Sequence, residues 1–166
     1  MKAVRVKTAK LTHVGPSGDA RMVDISAKPV TSREARARGS VKMSSAALEA
    51  ILRGDLPKGE VIGTARIAGI QGAKRTSELI PMCHPLALTM VDVVCRPDKT
   101  LPGIRIESVV RCEARTGAEM EALTAVAVAA LTIVDMAKSV DRWMTIGGIE
   151  LVAKRGGKSG DLRRPG

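Results

Sequence analysis

From Ala35 to Met43 small or apolar residues (Ala35, Ala37, Gly39, Val41, Met43) alternate with Arg36, Arg38, Ser40 and Lys42, the period of a half-buried strand. Thr31-x-x-Glu34 offers a competing helix capping box, but the period-two run is longer, so a strand is expected. Ser44 or Ser45 then caps a short helix through Arg53, stopped by Gly54. Beyond the loop Asp55–Gly59 a second helix is predicted over about Val61–Glu78, which Pro81 must end or follow. Its glycines, Gly63, Gly69 and Gly72, would weaken an isolated helix and therefore imply close packing against a neighbour. Two strands follow Pro85, at Ala87–Arg96 and Gly103–Arg115; in the second, Ile104, Ile106, Val110, Cys112 and Ala114 face one way and Arg105, Glu107, Arg111, Glu113 and Arg115 the other. Thr116-x-x-Glu119 reads as the capping box of a long helix to about Val140, and Met144–Ala153, interrupted by Gly147-Gly148, reads as a last strand.

The order strand, helix, helix, strand, strand, helix, strand groups helices with hairpin-connected strands. It predicts an α+β fold, helices packed on one face of an antiparallel sheet, close to the ferredoxin-like plan. The polar sheet face is then either solvated or a subunit interface. At 166 residues, 45% hydrophobic and 27% charged, the chain suits one folded domain, placed at residues 21–153 between a basic, flexible arm (1–20) and a basic, glycine-containing tail (154–166). No run reaches the length of a membrane span, and the start lacks the apolar stretch of a secretory signal, so the cytoplasm is the expected location. Cys83, Cys95 and Cys112, with no C-x-x-C pair, argue against a disulfide framework and a zinc site.

The net charge of +10 invites a nucleic-acid-binding reading, yet Phe and Tyr are absent and Trp143 is the only aromatic residue. The stacking surface most single-strand binders use is therefore missing. Asn is absent and Gln71 is the only Gln, which fits either selection against thermolabile amides or a GC-rich genome.

Chemistry gathers elsewhere. His84 lies in the proline-flanked loop Pro81-Met82-Cys83-His84-Pro85, and is either a positioned proton carrier or a satisfied structural histidine. Cys83 is either a nucleophile or a small buried hydrophobe. Asp135 interrupts an apolar helix with Lys138 three residues on, one face of one helix; the pair is either reactive or a surface ion pair. Capping accounts for Glu119 and leaves Glu121 available. Lys58, Lys74, Arg75, Lys154 and Lys158 stand in loops or at element ends, where anions are commonly gripped. Gly156-Gly157-Lys158-Ser159-Gly160 is no nucleotide-hydrolase loop, because Val152 stands where that pattern requires Gly.

Several stretches carry a family likeness: Met22-Val23-Asp24-Ile25-Ser26, Lys28–Ala35, Ala65–Gln71, Ala73–Pro81, Cys83–Leu86, Arg115–Ala125, Asp135-Met136-x-Lys138 and Gly156–Gly160. On these residues the sequence closely resembles the cyclic pyranopterin monophosphate synthases, the molybdenum cofactor biosynthesis protein C family, over about Met22 to Gly160. The resemblance implies conversion of 3′,8-cyclo-7,8-dihydro-GTP, a triphosphate, into cyclic pyranopterin monophosphate with release of pyrophosphate. It also implies a ferredoxin-like subunit in a homohexamer built as a trimer of dimers, and neither metal nor organic cofactor. By position, Asp135 and Lys138 look like the acid/base pair and Lys58 like a further essential lysine; Met82, Cys83, His84, Met120 and Glu121 look like substrate-binding residues. Lys74, Lys154, Lys158 and Arg33 would be triphosphate or supporting contacts. Val134 and Ala137 replace the Tyr and Cys often seen beside the Asp, and Asp161-Leu162 replaces an aromatic-containing end. Nucleic acid is not an expected partner.

Overall fold

The computed structural model describes residues 18–165; most of the expected N-terminal arm lies outside the described residues. The elements are β1 (Thr31–Lys42), α1 (Ser45–Arg53), α2 (Val61–Lys74), α3 (Thr76–Leu79), β2 (Leu88–Asp98), β3 (Gly103–Ala114), α4 (Glu119–Ala137), β4 (Thr145–Arg155) and β5 (Leu162–Arg163). All pairings are antiparallel in the order β2-β3-β1-β4-β5. The first four strands make the expected ferredoxin-like sheet, with β5 added at one edge.

Period-two patterning carried the strands. In β1 Ala35, Ala37, Gly39 and Val41 are buried while Arg36, Arg38 and Lys42 are exposed, and β3 alternates as its sequence does. The buried face meets α2 and α4; Gly39 has no side chain because a Cβ there would sit 2.7 Å from Val126 Cγ1 on α4. With no Phe or Tyr, the largest fully buried side chains are Ile104, Ile106 and Ile133, joined by a run of valines and alanines. Such a core fills space by bringing backbones close. α2 shows this directly: a Cβ on Gly69 would lie 2.8 Å from the Ala125 carbonyl oxygen, and one on Gly72 2.7 Å from Val128 Cγ2, so these glycines let α2 lie against α4 as expected. α4 is long and apolar enough to cross a membrane by composition, but ten of its residues are buried within this fold.

Three local expectations are corrected. The second helix breaks at Arg75 (φ −109°, ψ 13°), leaving Thr76–Leu79 as a separate turn. Ser44 caps α1 as one of two candidates, its Oγ accepting from the Ala47 N–H, but Thr116 does not cap α4. Ala118 holds that position with no side-chain hydrogen bond; Glu119 folds back over Gly117, whose missing Cβ makes the room. The segment expected as tail begins as the end of β4 and returns as β5, with the Arg164 N–H donating to Val152 O at 2.9 Å.

Candidate active site

α4 carries chemistry at both ends. At its C-terminal end Asp135 accepts hydrogen bonds from Lys58 Nζ (2.5 Å to Oδ2) and Lys138 Nζ (2.8 Å to Oδ1). Lys138 follows from helix spacing, whereas Lys58 arrives from the loop before α2 because α2 packs antiparallel on α4. Asp135 is not buried, as the apolar surrounding sequence suggests; its side chain is 54% exposed. The two lysines, Lys138 first, pull its carboxyl down to about 2. At neutral pH it is a carboxylate clasped by two ammonium groups at the mouth of a cavity of about 470 Å³, which Arg142 also lines.

At the N-terminal end a second cavity, of about 520 Å³, is lined by Met82, Cys83, His84, Met120 and Glu121, the five residues expected to bind substrate, together with Val23, Lys28 and Glu119, which were not expected as substrate contacts. Glu121 is 4% exposed. The start of a helix normally favours a carboxylate, but burial outweighs that here: desolvation, reinforced by the charge of Glu119, pushes its carboxyl up to about 7. Cys83 is half-buried, and both burial and Glu121 raise its thiol, so the thiolate a nucleophile needs is disfavoured. His84 also borders the neighbouring cavity that holds Asp24, whose carboxyl is lowered by its Ser26 hydrogen bonds and, more weakly, by His84.

The basic residues divide between these places. Lys154 is nearly buried, with Nζ 3.4 Å from Glu119 Oε1 and a hydrogen bond to Ser159 Oγ. Arg33 donates from Nε to Ala114 O at 2.9 Å, and Gly157, at φ 75°, lies so close over its guanidinium that a Cβ would collide with it. Both therefore belong to the N-terminal end of α4. Lys74 ends α2 on that side too, since Gly72 packs beside Val128 and Thr124. Lys158 stands exposed on the turn closed by the Gly160 N–H to Gly157 O at 3.0 Å. Among the described residues no group of three or more His, Cys, Asp or Glu could hold a metal ion.

One chain does not bring the two groups together. Glu121 and Asp135 are fourteen helical steps apart, about 21 Å at 1.5 Å per residue.

The MoaC family model matches residues 22–157, from the start of the N-terminal cavity wall to the glycine turn. The chain belongs to the MoaC family. It is 56% identical over 154 residues to the cyclic pyranopterin monophosphate synthase of Brucella ovis, with 93% of each chain covered. The enzymes of the same name from Brucella melitensis and Brucella abortus match to the same extent. Both ends of α4 fall inside the MoaC match, so each half of the separated constellation belongs to the shared region.

Proposed function

We propose that this chain is a cyclic pyranopterin monophosphate synthase, converting 3′,8-cyclo-7,8-dihydro-GTP into cyclic pyranopterin monophosphate with release of pyrophosphate in molybdenum cofactor biosynthesis. It is a phosphorus–oxygen lyase of the cytoplasm. The observation that carries the reading is the Lys58–Asp135–Lys138 cluster, open to a cavity within a chain 56% identical to named synthases. Rearranging a purine and closing a cyclic phosphate both require protons to move to and from nitrogen and oxygen. A carboxylate between two lysines can hold one ammonium group in its charged form and orient the other. Glu121, titrating near neutrality, supplies a group able to give or take a proton at the opposite wall.

For these groups to act on one substrate, the C-terminal end of α4 in one subunit must meet the N-terminal end in another. The active assembly is accordingly a homo-oligomer with each site shared between two copies, and the family resemblance makes that oligomer a hexamer built as a trimer of dimers. Lys58, Asp135 and Lys138 come from one subunit; His84, Glu121, Met120, Met82 and Cys83 come from its neighbour, with Arg33, Lys74, Lys154 and Lys158 supplying positive charge for the triphosphate.

Incubating the purified protein with the cyclic dihydro-GTP precursor and analysing for pyranopterin and pyrophosphate tests the reaction; absence of both overturns it. Subunit mixing tests the sharing. Asp135→Asn and Glu121→Gln, each inactive alone, should together recover about a quarter of wild-type turnover, since random exchange leaves one intact site in each mixed pair. Lys58→Ala with Asp135→Asn should recover none, because those side chains meet within one chain. Failure of the first mixture despite proven exchange refutes the shared site.

A further inference from the structure

The cavity at the C-terminal end of α4 holds three cations, Lys58, Lys138 and Arg142, against one anion, Asp135. Both lysines are engaged with Asp135. Arg142 makes no ion pair or side-chain hydrogen bond among the described residues. Its guanidinium presents a planar fork of donors that suits phosphate oxygens. The carbonyl end of α4 contributes a partial negative charge here, but the side chains leave the cavity positive by two unit charges.

The backbone around Arg142 is held in place. α4 ends in a turn where the Val140 and Asp141 N–H groups both donate to Ala137 O, at 2.9 and 3.2 Å. Asp141 then rivets the next residues to the start of α1: Oδ2 accepts from the Ser44 N–H at 2.7 Å and Oδ1 from the Trp143 N–H at 2.8 Å. Arg142 is thus fixed on both sides by one carboxylate. Its neighbour Trp143 is 91% exposed.

We propose that Arg142 is a phosphate-binding residue of this cavity and that Asp141 is the positioning residue that aims it. The inference rests on the pyranopterin synthase reading for its substrate, a nucleotide triphosphate whose outer phosphates leave as pyrophosphate, and it adds a contact to the cavity that holds Asp135. Arg142 engages the phosphate chain while Lys58 and Lys138 remain committed to Asp135.

Inorganic pyrophosphate is the probe, titrated by calorimetry into the full-length protein and followed in parallel by Trp143 emission, which no other aromatic residue obscures. Arg142→Ala should weaken binding by about tenfold, the low end for a charge-assisted hydrogen bond at an exposed site, and abolish the emission change. Arg142→Lys should fall between, and Asp141→Asn should weaken binding several-fold; both Arg142→Ala and Asp141→Asn should raise KM for the cyclic nucleotide more than they lower kcat. Arg53→Ala, which removes the same charge from a residue paired with Glu49 and Asp55 on α1, should leave binding as it is. Wild type that fails to bind pyrophosphate, or an Arg142→Ala effect no larger than that of Arg53→Ala, overturns the proposal. Arg142-dependent binding in a protein with no turnover upholds the phosphate site while refuting the enzymatic reading.

Discussion

Glu121→Gln should gain stability relative to wild type as pH rises toward neutrality, while losing its activity. The carboxyl is buried, and its folded-state value is pushed from 4.5 up to about 7 by desolvation, with Glu119 adding repulsion. Between those two values the folded chain keeps a proton that the unfolded chain has released, so stability falls as pH rises. The favourable contribution is complete below about pH 4.5, is lost progressively on the way to about pH 7, and stays lost above it. At about 1.4 kcal/mol per pH unit, the interval from 4.5 to about 7 amounts to about 3 kcal/mol. Glutamine has nearly the same shape and cannot ionise; the cost of burying its amide is the same at every pH. The stability of the variant minus that of wild type should therefore climb by about 3 kcal/mol between pH 4.5 and pH 8, whatever its absolute value. Denaturant unfolding at fixed protein concentration measures it, since assembly ties stability to concentration. A difference that stays flat within about 0.5 kcal/mol over that range would mean that Glu121 ionises as freely in the folded chain as in the unfolded one.

The pH profile of kcat/KM should show a limb near pH 7 that moves in a residually active Glu121→Asp protein, whereas Asp135, held down to about 2 by Lys138 and Lys58, should contribute none in the neutral range. Gly69→Ala should lower stability by about 1–2 kcal/mol despite alanine's better helix propensity, because the new Cβ meets the Ala125 backbone oxygen at 2.8 Å and backbone yields less than a side chain; a thermal melt no lower than wild type would refute that packing argument.

Strand alternation was legible because each central strand buries one face, so the pattern of β1 and β3 is the burial pattern itself. Two of the three glycines of α2 were legible for a related reason: a residue that costs a helix stability must return it in close approach, and Gly69 and Gly72 do so against α4, whereas Gly63 lies only against the side chain of its own helix cap, Glu60. The start of α4 was not, because a capping box and a Glu folded back over a glycine share the letters Thr-Gly-Ala-Glu, and only the backbone at Gly117 and Ala118 separates them. Nor was β5, whose two residues are specified by the turn that Asp161 closes on the Gly156 N–H rather than by any periodicity of their own. Loop position marked Lys58 only as one of five candidate anion contacts, and family likeness alone made it essential; its contact with Asp135 spans 77 positions, and no local pattern encodes it. Arg142 passed unnoticed because nothing marks it in sequence except its place just beyond α4.

The two acids of α4 show where a finer reading was available. The helix is apolar nearly all round, so Asp135 stood out as an intruder to be paired or reactive, and Glu121 was left available once capping accounted for Glu119; neither observation says which of the two is buried. Counting by fours tells the two apart: Glu121 is in register with Ala125, Ala129 and Ile133, all fully buried, whereas Asp135 lies four residues beyond Leu131, which is 59% exposed. One helix therefore sets its two carboxyls in opposite surroundings, one desolvated and the other exposed between two ammonium groups. Their titrations separate from about 7 to about 2. A pair of acids divided in this way can hold a proton on one and a charge on the other at the same pH. Because about 21 Å of helix lies between them, that division of labour can serve one substrate only where the helix ends of two subunits meet.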